Sequence, residues 1–367
     1  MSRWMSNPQL LVEQAAGYRE LAARGDLPGL ARAVMKASCH NGSMTGPGAD
    51  NLALLRALPD ADRLALARIW ADWLARVADE GPYVFEDFGR GPGYLRAELL
   101  TVASGVARDL DGDLLAAERQ ARLIELGERY VVASGNRDWE LAVAELAAGR
   151  TPAPAVLAVF RRTALECHAE PALRELLAVC PGPVLNPGEP WADQALKDET
   201  AGGEPWQRLL AHTAPPTARA PSAKWARTGR SLLVAAGAEQ VRHRVHAWFD
   251  LVGLDRAAPP LRSHQYGDID AAGRPDPYNC QALRGLAWLL GLLPAASDTA
   301  AALARLADTA LRPLPSGTPA APKVAEAAVV ALSLQDGAAA RDELADLAHR
   351  VGHRGVARRI AAALGGG

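Results

Sequence analysis

Asn279–Leu293, NCQALRGLAWLLGLL, is the most apolar run of the chain, and its reading decides the fold. Leu283, Leu286, Ala287 and Leu290 recur at i, i+3, i+4 and i+7, so they line one face of a helix. Trp288 and Leu289 lie beside that face and Arg284 lies off it. A helix apolar over most of its girth needs neighbours on two sides. The run is about 15 residues, short of the roughly 20 a bilayer requires, so the expectation is burial within a protein.

The segments that follow repeat the pattern. Leu303, Leu306, Ala307, Ala310 and Leu311 form one stripe, and Val324, Ala327, Ala328, Ala331 and Leu332 a second. Leu344, Leu347, Ala348 and Val351 form a third, and Val356, Ile360 and Leu364 a shorter last one. Pro294, Pro313–Leu314–Pro315 with Gly317, Asp336–Gly337 and Gly352–Gly355 punctuate them as helix stops and starts. Helix, short turn, helix, without intervening strands, predicts an all-α fold, an α-solenoid of degenerate HEAT-like helical hairpins. Alanine at the stripe positions lets such helices approach closely.

Upstream the same grammar holds. Residues 7–39 read as a helical hairpin turned at Gly25–Asp26, with Asp26 able to cap the second helix. Helices are expected over 52–78 with a break at Pro59, then over 94–108, 113–134, 137–148, 153–167 and 170–179. Cys39–Asn51 and Glu80–Gly93 read as irregular loops. PGPVLNPGEP, Pro181–Pro190, forbids a continuous helix and is the expected boundary between an N-terminal subdomain, 1–180, and a C-terminal one, 191–367. Helices at 190–198, 204–213, 221–235 and 238–252 follow. Asp255–Pro277 is the longest irregular segment.

Composition narrows the function classes. Apolar residues make up 49%, enough for a large core, and nine Trp stand against four Phe. The formal charge of −2 lacks the basic excess usual in a protein built to hold nucleic acid. Cys39, Cys167, Cys180 and Cys280 are scattered without a CxxC, which suggests neither a disulfide framework nor a cysteine-rich zinc site. MSRWMSNPQL has no apolar core of signal-peptide length, so a cytoplasmic location with no membrane partner is the expectation.

Two runs carry a family resemblance. The first is Gly188–Glu189–Pro190–Trp191–Ala192–Asp193, then Trp206 with Leu209–Leu210–Ala211–His212, then Lys224–Trp225. The second is Asn279 with Leu283–Arg284–Gly285–Leu286–Ala287–Trp288, then Pro322–Lys323–Val324 and Ala331–Leu332. Over about 185–364 the chain resembles the helical, HEAT-like region of large bacterial MolR-like proteins. Those often carry a C-terminal domain of unknown function, sometimes with a WGR domain. In the family the pattern after Lys323 usually continues Val-Gly-Asn, where this chain has Val324–Ala325–Glu326. The resemblance implies a scaffold and brings no activity with it.

Arg219, Lys224, Arg227, Arg230, Arg242 and Arg244 form a basic stretch opposed by Glu239 alone. On the concave side of a solenoid it could hold an acidic peptide or phosphates; the plainer reading is a solvated face. His264, Tyr266 and Asp268, with Asp270 and Tyr278, cluster in the stretch 263–280. His243, His246 and Asp250 have metal-chelating spacing, but Arg242 and Arg244 flank His243. Cys39–His40 and Cys167–His168 would make a zinc site only if they met in space. Asp109, Asp111 and Asp113, and likewise Asp268 and Asp270, echo the start of a calcium loop. Neither run has the bidentate Glu that should close it. The glycine loops Gly42–Gly48 and Gly89–Gly93 match no phosphate-binding fingerprint.

No metal or cofactor is expected. The first expectation is a non-catalytic scaffold holding a protein or peptide at the basic stretch and at His264, Tyr266 and Asp268. The second is nucleic-acid binding through the stripe 219–244, and the third an enzyme with a site near 263–280.

Overall fold

The computed structural model describes residues 8–40, 47–80, 92–110, 112–132, 137–166, 171–214, 218–258, 260 and 273–365. Among them the chain forms eighteen α-helices and no strand, so the all-α expectation holds. No helix among the described residues is long and apolar enough to cross a membrane. The chain divides into two compact units, Met1–Pro181 and Gly182–Gly367, each with its own core.

The first unit runs α1 (Pro8–Ala23), α2 (Leu27–His40), α3 (Pro47–Arg56), α4 (Asp60–Glu80), α5 (Pro92–Ala107), α6 (Ala116–Gly127), α7 (Trp139–Ala147), α8 (Pro154–Glu166) and α9 (Pro171–Val179). Asp26 caps α2 as its position predicts, accepting from Gly29 N at 2.9 Å. α4 and α5 form the centre, α4 through Leu66, Trp70, Leu74 and Val77, α5 through Leu95, Leu99, Val102 and Val106. Trp70 buries its ring and donates from Nε1 to Ala31 O.

α6 stops at Gly127, where apolar spacing predicts a helix to 134. The continuation Tyr130–Val132 is a buried strap across α8. Arg162 donates to Tyr130 O at 2.6 Å and Arg129 O at 3.1 Å, and Val132 N donates to Thr163 Oγ1 at 3.1 Å. Side chains of α8 thus replace the helical partners the strap gives up. The turn before α6 is left-handed at Asp109 (φ 68°), Asp113 (φ 41°) and Leu115 (φ 64°).

The second unit runs α10 (Pro190–Gly202), α11 (Glu204–Thr213), α12 (Ala223–Ala236), α13 (Ala238–Asp250), α14 (Asn279–Gly291), α15 (Ser297–Leu311), α16 (Pro322–Leu334), α17 (Ala338–Arg350) and α18 (Arg354–Gly365). α10, α13, α15 and α17 pack side by side in that order, as do α11, α14, α16 and α18; α12 sits against α11, α13 and α14. α14 and α15, consecutive in the chain, each pack extensively along α16 and little on one another.

The apolar run that predicts a buried helix is α14, and every residue from Gly285 to Gly291 is buried. Two glycines set its neighbours. A Cβ on Gly285 would stand 2.6 Å from Thr213 O at the end of α11, and one on Gly291 2.9 Å from the Ala331 Cα of α16. Helices at this distance need a residue without a side chain. The later stripes bury most of their Leu, Val and Ile positions down to Ile360, with Leu311 and Val351 half-buried; Ala348 is exposed and Leu364 is 41% exposed, because α17 and α18 have fewer neighbours.

Gly182–Glu189 belongs to the second unit and is more than a connection. Leu185 is fully buried in that unit's core, and Asn186 is fully buried beside the start of α14.

Candidate functional site

The six basic residues of 219–244 do not share one surface. Arg219, Lys224, Arg227 and Arg230 are exposed, and among the described residues none makes an ion pair. Ser222 starts the helix that carries three of them, its Oγ accepting from Trp225 N at 3.2 Å. Lys224, Arg227 and Arg230 then step by three along the solvent side of α12, beside Val234, an apolar side chain 79% exposed.

Arg242 and Arg244 turn inward. Arg242 occupies the face of α13 that buries Val241, Val245 and Trp248, and it donates to Thr299 Oγ1 at 3.0 Å and Pro294 O at 3.1 Å. Arg244 lies over the Trp206 ring, 4.6 Å from its centroid, and donates to Asp198 O at 3.2 Å. His264, Tyr266, Asp268 and Asp270 lie outside the described residues, as do Asp111 and Cys167–His168.

The metal candidates are spent on other contacts. Asp250 pairs with Arg305 at 3.2 Å, and His246 faces Asp298 at 3.9 Å. Burial holds the His246 imidazolium below its ordinary pKa, and Arg242 and Arg305 add to that against the pull of Asp298 and Asp250. Asp109 pairs with Arg56, and Asp113 with Arg119 and Arg150. Among the described residues no group of three or more His, Cys, Asp or Glu side chains is placed to hold a metal ion.

The polar centre of the second unit forms where the two motif runs meet. Glu189, Asp276, Asn186 and Asn279 are buried together. Asp276 Oδ1 accepts from Tyr278 N at 2.9 Å and Asn279 N at 3.3 Å, which caps α14 ahead of Pro277. Asn186 Nδ2 donates to both Asp276 oxygens at 3.2 Å. Asn279 is doubly tied to Asn186: its Oδ1 accepts from Asn186 N at 2.8 Å and its Nδ2 donates to Asn186 O at 2.9 Å. Glu189 closes the ring, taking Asp276 N at 2.9 Å on one oxygen and Asn279 Nδ2 at 2.8 Å on the other.

Two carboxylates in one buried ring cannot both ionise cheaply. Burial first, and the Asp276 charge second, push the Glu189 carboxyl up to about 7, against the pull of Arg256. Burial, with the same two carboxylates, pushes the neighbouring Cys280 thiol well above its ordinary value. A thiol held protonated is a poor nucleophile, so covalent catalysis at Cys280 is disfavoured.

A pocket of about 220 Å³ opens beside the ring. Glu189, Arg256, Asp255, Arg274, Cys280 and Arg312 supply its polar lining, and Leu251, Val252, Leu283, Leu314 and Val324 are among its apolar walls. Comparison with known proteins gives no match: no family model, curated sequence or solved structure resembles this chain.

Proximity of residues 186–189 to 276–280 is what the sequence did not reveal. Glu189 and Asn279 stand in two separate runs of the sequence, 188–193 and 279–288, and nothing in either run says that they touch. The available signal is local: Asp276 precedes a proline just ahead of a helix, the position of a capping side chain.

Proposed function

We propose that the protein is a non-catalytic binding scaffold, a helical solenoid related to the MolR-like helical region, that holds an acidic protein segment on the outer face of α12. Two ordered rows of helices, α10–α13–α15–α17 and α11–α14–α16–α18, support the solenoid reading. The observation that carries the binding reading is the run Arg219, Lys224, Arg227 and Arg230, exposed and without an ion-pair partner among the described residues. Elsewhere in this unit arginines such as Arg242, Arg244, Arg305 and Arg350 have internal or surface acceptors. Exposed Val234 beside the cations suits a partner that is acidic and partly apolar.

The test is a charge-reversed variant, K224E/R227E/R230E, compared with the wild type in cross-linked capture from the source cell. The expected outcome is a protein retained by the wild type, lost from the variant and released by salt, as screened rim charges require. An identical set of captured proteins from both forms removes the proposal. A short DNA duplex bound by the wild type with steeply salt-dependent affinity would move the same face to nucleic acid.

A further inference from the structure

Arg256 lines the pocket beside the buried ring, and its side chain is 4% exposed. A guanidinium brings five N–H donors and a fixed charge that water no longer satisfies once buried. Among the described residues its hydrogen bonding is a single contact, Nη2 to Arg274 O at 3.2 Å. Its counter-charge is Glu189, whose Oε1 stands 3.6 Å from Nη2, beyond hydrogen-bond reach. Both Glu189 oxygens are already engaged by Asp276 N and Asn279 Nδ2. Among the described residues Nε and Nη1 have no hydrogen-bond acceptor, and they stand beside a cavity whose other walls are largely apolar. A largely buried guanidinium that keeps donors open toward a pocket favours an anion there.

We propose that this pocket is a binding site for a small organic anion, one carboxylate or phosphate group on an apolar body. The acid group accepts from Arg256 in the forked geometry guanidinium favours, with Arg312 at the exposed rim as a second positive charge. The body lies against Leu251, Val252, Leu283 and Val324. At about 220 Å³ the pocket is below the ~300–1,000 Å³ of drug-sized sites, which selects a small acid. This site is independent of the α12 face, and neither proposal needs the other.

The experiment is calorimetric titration of the full chain with benzoate, hexanoate and phenyl phosphate, with benzyl alcohol, acetate and inorganic phosphate as controls. At least one of the three acids is expected to bind saturably, more tightly than each control. Which acid group wins distinguishes a carboxylate from a phosphate ligand. Arg256→Gln should weaken binding tenfold or more, the scale of one charge-assisted hydrogen bond. Arg312→Gln, at an exposed position, should weaken it by a smaller factor. No saturable binding of any acid, or benzyl alcohol binding as well as benzoate, overturns the proposal. So does affinity unchanged in a folded Arg256→Gln or, if that variant does not fold, unchanged in Arg312→Gln.

Discussion

At the scale of single residues, Glu189 is the position where structure and chemistry are most tightly joined. Its carboxyl holds a proton to a higher pH in the folded chain than in the unfolded one, because burial and the Asp276 charge oppose ionisation. Between the ordinary carboxylate range and about 7 the folded state therefore binds more protons, and unfolding free energy falls as pH rises through that window. Each pH unit of the window contributes at most about 1.4 kcal/mol. Glu189→Gln removes the titration and lowers stability as well: its amide nitrogen cannot accept from Asn279 Nδ2, and Asn279 cannot turn its amide because Oδ1 serves Asn186 N. Urea midpoints of wild type and variant at pH 5, 6 and 7 give the comparison. The stability gap should be widest at pH 5 and narrow toward pH 7; a gap constant with pH would mean Glu189 titrates normally. Asp113, Glu125 and Glu145, with pKa values lowered by arginine partners, slope the other way at lower pH, but they are common to both proteins and cancel in the difference.

At the scale of elements, α14 was legible and α13 was misleading. The apolar run 283–290 reads as a buried helix because its periodicity and its hydrophobicity point the same way, and it is buried. The part played by Gly285 and Gly291 within it was not legible, since a close approach depends on which helix crosses there, and that is not written locally. In α13 the charge type dominates the reading, so Arg242 and Arg244 look like solvent-facing cations. Spacing says otherwise for Arg242, which adjoins Val241 and precedes Val245 on the buried side. Its aliphatic stem packs while its head finds Thr299 and Pro294 O, a route open to arginine because its long stem is apolar. The α6 terminus failed for a related reason: Arg162 and Thr163, 31 to 33 residues along the chain from their partners and outside any local pattern, supply its hydrogen bonds from α8. Two alanine substitutions separate the classes. Arg242→Ala should cost about 2 kcal/mol, from lost packing and acceptors left unpaired, while Lys224→Ala should change stability by less than about 0.5 kcal/mol. Equal small effects in chemical denaturation would mean that Arg242 is dispensable to the core.

At the scale of the whole molecule, the division of the chain decides which residues must stay together. Proline and glycine density places the expected boundary across 181–190, with the second subdomain starting at 191. Proline marks where a helix cannot run, however, and says nothing about which side owns the intervening residues. Contacts give 182–190 to the second unit, where Leu185 fills the core and Asn186 and Glu189 hold the start of α14 through Asp276 and Asn279. Two fragments follow from the two boundaries. Residues 182–367 should fold alone with a cooperative denaturant transition. Residues 191–367 lose a fully buried leucine, a deletion of the kind that costs about 2–5 kcal/mol, and leave Asp276 and Asn279 buried without their partners, at about 1–3 kcal/mol for each unsatisfied group. Losses of that sum approach the whole stability of a typical domain, so the shorter fragment should be largely unfolded or show a strongly lowered midpoint by circular dichroism. Matching midpoints for the two fragments would show that the segment before Pro190 is a linker after all, and that α14 keeps its cap and its core without the ring that now closes over it.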